Sequence, residues 1–136
     1  MYEKAFSLEI IAPDRVVFQG EATSVSPPGS DGSFQVLFNH AALMSSLCVG
    51  PLRVKDREGR DSLYATGGGF FEVRDNKAVA LVESAEKAED IDVQRAMAAK
   101  ERAEQRLKSH DPAFEIIRAE LALERALNRL RLAGRT

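Results

Sequence analysis

Ala88-Glu89-Asp90-Ile91-Asp92-Val93-Gln94-Arg95-Ala96 marks the place where the periodicity of the chain changes. Before it, apolar residues recur at steps of two or in short runs; after it, they recur at steps of three and four. Asp90 or Asp92 is positioned as N-cap or first-turn acid of a helix, because free backbone N–H groups and the positive dipole end favour a carboxylate there. Ala96-Met97-Ala98-Ala99-Lys100-Glu101-Arg102-Ala103 consists of good helix formers and carries that helix to about Leu107. The stretch is therefore both a boundary and a chemical feature. Residues 1–85 read as an antiparallel β-sandwich and residues 86–136 as an antiparallel two-helix hairpin.

On the N-terminal side, Phe6, Leu8 and Ile10 alternate with Ser7 and Glu9, which puts the apolar side chains on one face of a strand. Val16-Val17-Phe18 and Thr23-Ser24-Val25 follow at short spacing, and residues 33–38, 52–55, 62–65, 70–73 and 78–82 are further strand candidates. Pro27-Pro28-Gly29-Ser30-Asp31-Gly32 is a loop, and Glu58-Gly59 and Asp75-Asn76 supply turns. Many short strands between turn signals suggest a sandwich or flattened barrel. A domain of that size buries only ~60–65% of its extended-chain surface, enough to fold alone.

On the C-terminal side, Ser109-His110-Asp111-Pro112 interrupts the first helix, and the proline suits the opening of the next. The second helix shows Ile116, Ala119, Leu123, Ala126, Leu130 and Ala133 at steps of three and four, a seam for one partner helix. So short a connection makes the pair antiparallel. The first helix offers Ala96, Ala99 and Ala103 to the seam, and alanine in place of leucine forgoes roughly 0.8 kcal/mol per missing buried CH2. The hairpin is expected to be close but weakly held.

Composition sets bounds. The 136 residues are 44% apolar and 29% charged, with a net charge of -2, an ordinary balance for a globular protein and not that of a nucleic-acid binder. No run approaches the ~18 apolar residues of a membrane span, and no secretory signal is expected. Cys48 as sole cysteine excludes an intrachain disulfide and a multi-cysteine zinc site, and suits a reducing cytoplasm. Residues 1–84 hold 8 basic and 11 acidic side chains and residues 85–136 hold 11 and 10. The last residues carry Arg125, Arg129, Arg131 and Arg135 and no acid, a local cationic end.

If the hairpin folds about residues 110–111, Asp92 lies level with Arg129, and Arg95 with Ala126 beside Arg125. Arginines on helices usually meet carboxylates three or four residues away. Arg102 has Ala98, Ala99, Gln105 and Arg106 at those offsets, Arg125 has Leu121, Ala122, Asn128 and Arg129, and Arg129 has Arg125, Ala126, Leu132 and Ala133. Only Arg95 has an acid, in Asp92. Guanidiniums converging between two helices call for an anion, and the planar fork suits phosphate oxygens, with Asp92 offering acceptors to an adenine amino group or a ribose hydroxyl. A solvated charged face is the plain alternative, against which the missing acids weigh.

Other constellations carry less. Gly67-Gly68-Gly69 lacks the lysine and hydroxyl of a phosphate loop and precedes a strand, so a tight β-bend or close backbone approach is the reading. His40 and Cys48 have no spacing that supports a nucleophilic dyad; Cys48, between Leu47 and Val49, reads as a buried small apolar residue, and His40 as capping a turn or meeting a partner. His110 reads as solvated. Two histidines and one cysteine make neither a metal site nor a catalytic centre.

Taken together, these residues resemble the epsilon subunits of bacterial F-type ATP synthases. The matching stretches are Leu8-Glu9-Ile10-Ile11-Ala12-Pro13-Asp14-Arg15, Pro28-Gly29-Ser30-Asp31-Gly32, Asn39-His40-Ala41-Ala42-Leu43, Gly68-Gly69-Phe70-Phe71-Glu72-Val73, Ala88-Glu89-Asp90-Ile91-Asp92, Lys100-Glu101-Arg102-Ala103-Glu104 and Arg118-Ala119-Glu120-Leu121-Ala122-Leu123. The family's I/L-D-x-x-R-A motif stands here as Ile91-Asp92-Val93-Gln94-Arg95-Ala96. Many members have proline where this chain has Phe38. The resemblance implies a ten-stranded β-sandwich with two helices on a rotor's central stalk, the sandwich meeting the gamma subunit and the c-ring at the cytoplasmic face of the bacterial cell membrane. It further implies a noncatalytic subunit whose hairpin extends toward the alpha and beta catalytic subunits to restrain ATP hydrolysis. ATP would act as a regulatory ligand, not hydrolysed, held by Glu86, Ile91, Asp92, Arg95, Ala96, Arg102, Arg125 and Arg129. A purely structural stalk subunit whose hairpin binds no nucleotide is the alternative.

Overall fold

The computed structural model describes residues 4–109 and 113–134, without the side chains of residues 113–115. The readings of His110, Asp111, Pro112 and Arg135 lie outside the described residues. Two compact units divide the chain, Met1–Lys87 and Ala88–Thr136.

Seven strands build the first unit among the described residues: β1 Phe6–Ala12, β2 Arg15–Ser26, β3 Val36–Leu37, β4 Leu43–Asp56, β5 Asp61–Arg74, β6 Lys77–Val82 and β7 Ala85–Lys87. β1 pairs with β6 and with β2, β2 with β4, β4 with β5 and β5 with β6, so the strands close on themselves as a flattened barrel. All of these pairs are antiparallel except β1–β6, which is parallel. The core follows from the alternation in β1, whose Phe6, Leu8 and Ile10 are buried and face Val25, Leu52, Val54, Tyr64, Phe71, Val73, Ala78 and Ala80 from the other strands. Phe34 packs edge-on against Phe71, ring centroids 5.6 Å apart.

Seven strands stand where the resemblance implies ten, because β4 and β5 each run 14 residues through bends that read as strand ends in the sequence. Glycines 67–69 are where β5 changes partner. Before them Tyr64, Ala65 and Thr66 pair with β7, and after them residues 69–74 pair with β6. The Gly67 N–H donates to the Ser84 carbonyl at 3.0 Å and the Glu83 N–H to the Gly68 carbonyl at 2.9 Å, clasping the bend. Gly68 and Gly69 hold φ of 95° and 148°, and a Cβ on Gly69 would strike the Leu81 carbonyl oxygen. The reading of a tight bend with close backbone approach is what the structure contains.

Turns follow local chemistry. Asp75 and Asn76 take φ of 51° and 58°, the mirror-image two-residue turn that joins β5 to β6. The Asn39 N–H donates to the Asn76 side-chain oxygen, tying the loop after β3 to that turn. Between β4 and β5, the Asp56 carboxylate accepts the Arg60 backbone N–H, the Arg60 guanidinium and the Glu58 N–H, at 2.9, 3.0 and 2.9 Å. These donors, the Arg60 backbone first, hold its carboxyl below the usual carboxylate range. Stabilisation from this turn is therefore present above the ordinary carboxylate pKa and lost as pH falls through the lowered one.

The second unit consists of a 3-10 turn at Ala88–Asp90, helix α1 at Val93–Lys108 and helix α2 at Ala113–Ala133. α2 packs on α1 and also on the 3-10 turn. From α1 the contact buries Ala96 and Ala103 completely, and from α2 Ala119 and Ala126. Ala99, Ile116, Leu123, Leu130 and Ala133 are only half-buried. The alanine seam expected from the sequence is thus the one formed. α2 also buries Asn128 and Leu132, which lie on its opposite side and outside that seam.

Candidate functional site

Asp92, not Asp90, is the N-cap of α1. Its backbone is extended, and its Oδ1 accepts the Arg95 backbone N–H at 3.1 Å. Ile91, one residue ahead of the cap, and Ala96, four residues after it, are both buried, the positions of a hydrophobic staple that fixes how the chain enters the helix. The stretch Ile91–Ala96 is thus a helix-starting device in its own right. At the other end the Ser109 hydroxyl donates to the Arg106 carbonyl at 2.7 Å. Asp92→Ala is expected to cost about 1 kcal/mol of helical-unit stability, the usual worth of a carboxylate cap. Thermal unfolding followed by circular dichroism reads it, and an unchanged midpoint would remove the cap from the account.

The arginines are distributed along both helices. Arg95, Arg102, Arg118 and Arg125 are exposed, and among the described residues none of them forms an ion pair. Arg129 is half-buried and already engaged within the structure. Arg95 has Asp92 one turn back, yet that carboxylate serves the backbone and not the guanidinium. Because the 3-10 turn lies against α2 and the two helices are joined at the far end, the C-terminal half of α2 runs beside the start of α1. That puts Asp92 and Arg95 at the same end of the unit as Arg125 and Arg129. Arg102 lies two turns further along α1.

Seven of the eight residues singled out, Ile91, Asp92, Arg95, Ala96, Arg102, Arg125 and Arg129, belong to this unit. Glu86 stands in β7 opposite Ala65, in the first unit; it is half-buried and is engaged within the structure. Sequence reasoning missed Asn128 and Leu132, 4% and 0% exposed, whose spacing of four is visible but belongs to no seam the pattern had assigned. Arginine guanidiniums with no carboxylate partner can neutralise a multiply charged anion such as a polyphosphate.

Two readings of the sandwich are settled by geometry. Cys48 is exposed, not buried, because its strand position turns it outward, and its thiol points to the Pro28 carbonyl at 3.4 Å. The His40 ring lies 2.6 Å from the Ala41 carbonyl and its backbone N–H donates to the Leu37 carbonyl, so His40 closes a turn, one of the two roles its position suggests. Among the described residues no group of His, Cys, Asp and Glu is arranged to hold a metal ion, and no helix is long and apolar enough to cross a membrane.

The model of the ATP synthase delta/epsilon chain β-sandwich domain matches residues 5–88, and that of the delta/epsilon long α-helix domain matches residues 89–134. An ATP synthase epsilon chain of Desulforamulus reducens is 45% identical over 96% of this chain and 98% of its own length. Those of Moorella thermoacetica and Bacillus velezensis are 44% and 41% identical, each over 96% of this chain and at least 97% of theirs. Among solved structures, a chain of the Euglena gracilis mitochondrial ATP synthase (OSCP/F1/c-ring) superposes with a TM-score of 0.81 at 25% identity, covering 97% of this chain and 82% of that one. A chain of the Tetrahymena thermophila central stalk and c-ring shares the fold, with a TM-score of 0.60 at 15% identity over 98% and 99%. With both of its units matched in order and nearly end to end, the chain belongs to the ATP synthase delta/epsilon chain family.

Proposed function

We propose that this chain is a noncatalytic central-stalk subunit of an F-type ATP synthase, serving the coupling of proton translocation to ATP synthesis. Its sandwich sits against the gamma subunit and the c-ring, so it is peripheral to the membrane, at the cytoplasmic face in a bacterial cell. Family membership across both units supports the stalk role. The sandwich also carries a row of exposed apolar side chains, Met44, Phe70 and Leu81, suited to a protein partner.

The helical unit is the regulatory part. It binds ATP without hydrolysing it through Asp92, Arg95, Arg102, Arg125 and Arg129, with Ile91 and Ala96 shaping the helix start. When released it extends toward the alpha and beta catalytic subunits and restrains ATP hydrolysis. The observation that carries the nucleotide reading is that Arg95, Arg102 and Arg125 are exposed and form no ion pair among the described residues. ATP favours whichever arrangement of the helices it binds more tightly.

Isothermal titration of the intact chain with ATP should show binding that Arg125→Ala weakens roughly tenfold to hundredfold, the worth of a hydrogen-bonded ion pair to phosphate. No heat at millimolar ATP would remove the nucleotide part of the proposal. A second reading has its own support: Asp92 is spent on the cap, and Ile91 and Ala96 fit a staple, so the motif is accounted for by helix starting alone. On that reading the subunit is purely structural, and the same titration separates the two.

A further inference from the structure

We propose that the sandwich carries, on its outer face at β2 and β3, a docking cleft for an acidic and partly apolar segment of a partner protein, apart from the row of Met44, Phe70 and Leu81. The cleft encloses about 430 Å³. Ser24 of β2 stands in register between Leu37 of β3 and Lys55 of β4, so the three side chains share one face of the sheet and line it together. Lys55 is at the opposite end of β4 from Met44. Gln35, Phe38 and Lys4 complete the wall, with the Lys4 ammonium 5.2 Å from the centre of the Phe38 ring. The pairing of β2 with β4 shifts at Thr23, which is buried and whose hydroxyl lies 3.3 and 3.4 Å from the carbonyl oxygens of Lys55 and Asp56. A bulge of this kind re-aims the side chains beside it, and here it sits at the cleft.

Charge names the occupant. Neither Lys4 nor Lys55 forms an ion pair among the described residues. The acids that share these strands, Glu21 on β2 and Asp56 on β4, are spent on Arg57 and Arg60. No carboxylate lines the cleft, and the Ser24 hydroxyl and the Gln35 amide add two further groups that can donate. Beside these donors Leu37 and Phe38 are exposed, although both are large and apolar. An inorganic anion would answer the lysines and leave Leu37 and Phe38 in water, and a purely apolar segment would do the reverse. An extended segment in which carboxylates alternate with apolar side chains answers both, the charges giving orientation and the apolar contacts giving area. This cleft belongs to the first unit alone and does not depend on whether the helical unit binds nucleotide.

The probe is a short synthetic peptide of alternating aspartate and leucine with blocked ends, titrated into the intact chain and followed by backbone amide NMR shifts. Saturable shifts are expected at Ser24, Gln35, Leu37, Phe38 and Lys55, with the amides around Phe70 unmoved. Lys4→Glu and Lys55→Glu should each weaken binding roughly tenfold, by removing one attraction and adding one repulsion. Lys4 is exposed and precedes β1, so its substitution leaves the fold intact even if that of Lys55 does not. Absence of saturable shifts overturns the proposal, as does full binding by the Lys4→Glu variant. Equal shifts from a peptide with lysine in place of aspartate would reduce the cleft to an apolar surface, and equal shifts from inorganic phosphate alone would reduce it to an anion site; either result also overturns it.

Discussion

Gly69→Ala is expected to unfold the sandwich, or to lower its stability by about 4 kcal/mol or more, a loss beyond that of most single substitutions. Two costs add at this position. The backbone holds φ of 148°, a region that residues with a Cβ rarely enter, and holding alanine there costs about 1–3 kcal/mol. The new methyl would also overlap the Leu81 carbonyl oxygen, with the Val82 Cα 2.9 Å away, and both neighbours are backbone of a paired strand that cannot swing aside. Gly59→Ala supplies the contrast. Its φ of 81° is also positive, but a Cβ there meets nothing, so only the conformational cost of about 1 kcal/mol applies. Urea unfolding of the three proteins measures the difference, and a Gly69→Ala variant within about 1 kcal/mol of the parent would mean that the bend is not the constraint described.

The three glycines also show how far the sequence could be read. A run of glycine before an apolar strand announces a bend, and a bend is what stands there. That the bend is where β5 trades β7 for β6 is a fact of tertiary pairing, invisible to a pattern of period two. The same limit split β4 and β5 into short strands: Gly50-Pro51 and the glycines look like ends, yet Pro51 stays paired with Ala65 and the strand runs on. Ala85, Glu86 and Lys87 are good helix formers placed directly before a helix, and the boundary at residue 85 put Glu86 and Lys87 with the hairpin. Pairing with Tyr64, Ala65 and Thr66 overrides that propensity and makes them β7.

In the helical unit the caps and the seam were legible because they are local. Asp92 could be narrowed to one of two aspartates, and Ala96, Ala103, Ala119 and Ala126 were expected where they are buried. Asn128 and Leu132 were not, since a helix pattern was assigned a single buried face and α2 buries a second one in its C-terminal half only. Arg129 was grouped with Arg102 and Arg125 because its own helix offers it no acid, whereas in the structure it is engaged. What a side chain meets across the chain is set by packing, and helical offsets report only its own helix.

Phe70→Asp is expected to abolish co-purification of the chain with the gamma subunit while leaving the isolated sandwich folded. The side chain of Phe70 is 61% exposed, unlike that of its neighbour Phe71 in the core, so the substitution removes no core contact. Phe70 stands opposite Leu81 on β6, and on β4 it stands opposite Ser46, two residues from Met44 on the same face. Met44 and Leu81 are 73% and 52% exposed, so three large apolar side chains from adjacent strands lie together on the outward face. Water is a poor neighbour for such a row, and a partner that covers it gains roughly 25 cal/mol for each Å² of apolar surface removed. A carboxylate at the centre would be desolvated with no cation among those three side chains, and truncating or charging the central anchor of an interface typically costs 2 kcal/mol or more, about thirtyfold in affinity. Leu81→Asp should weaken assembly in the same direction, while Leu37→Asp, on β3 at the far end of the strand order, should spare it. Circular dichroism of each isolated variant separates loss of binding from loss of fold. Full recovery of gamma with a folded Phe70→Asp chain would move the stalk contact to another face of the sandwich and leave this apolar row without its proposed partner.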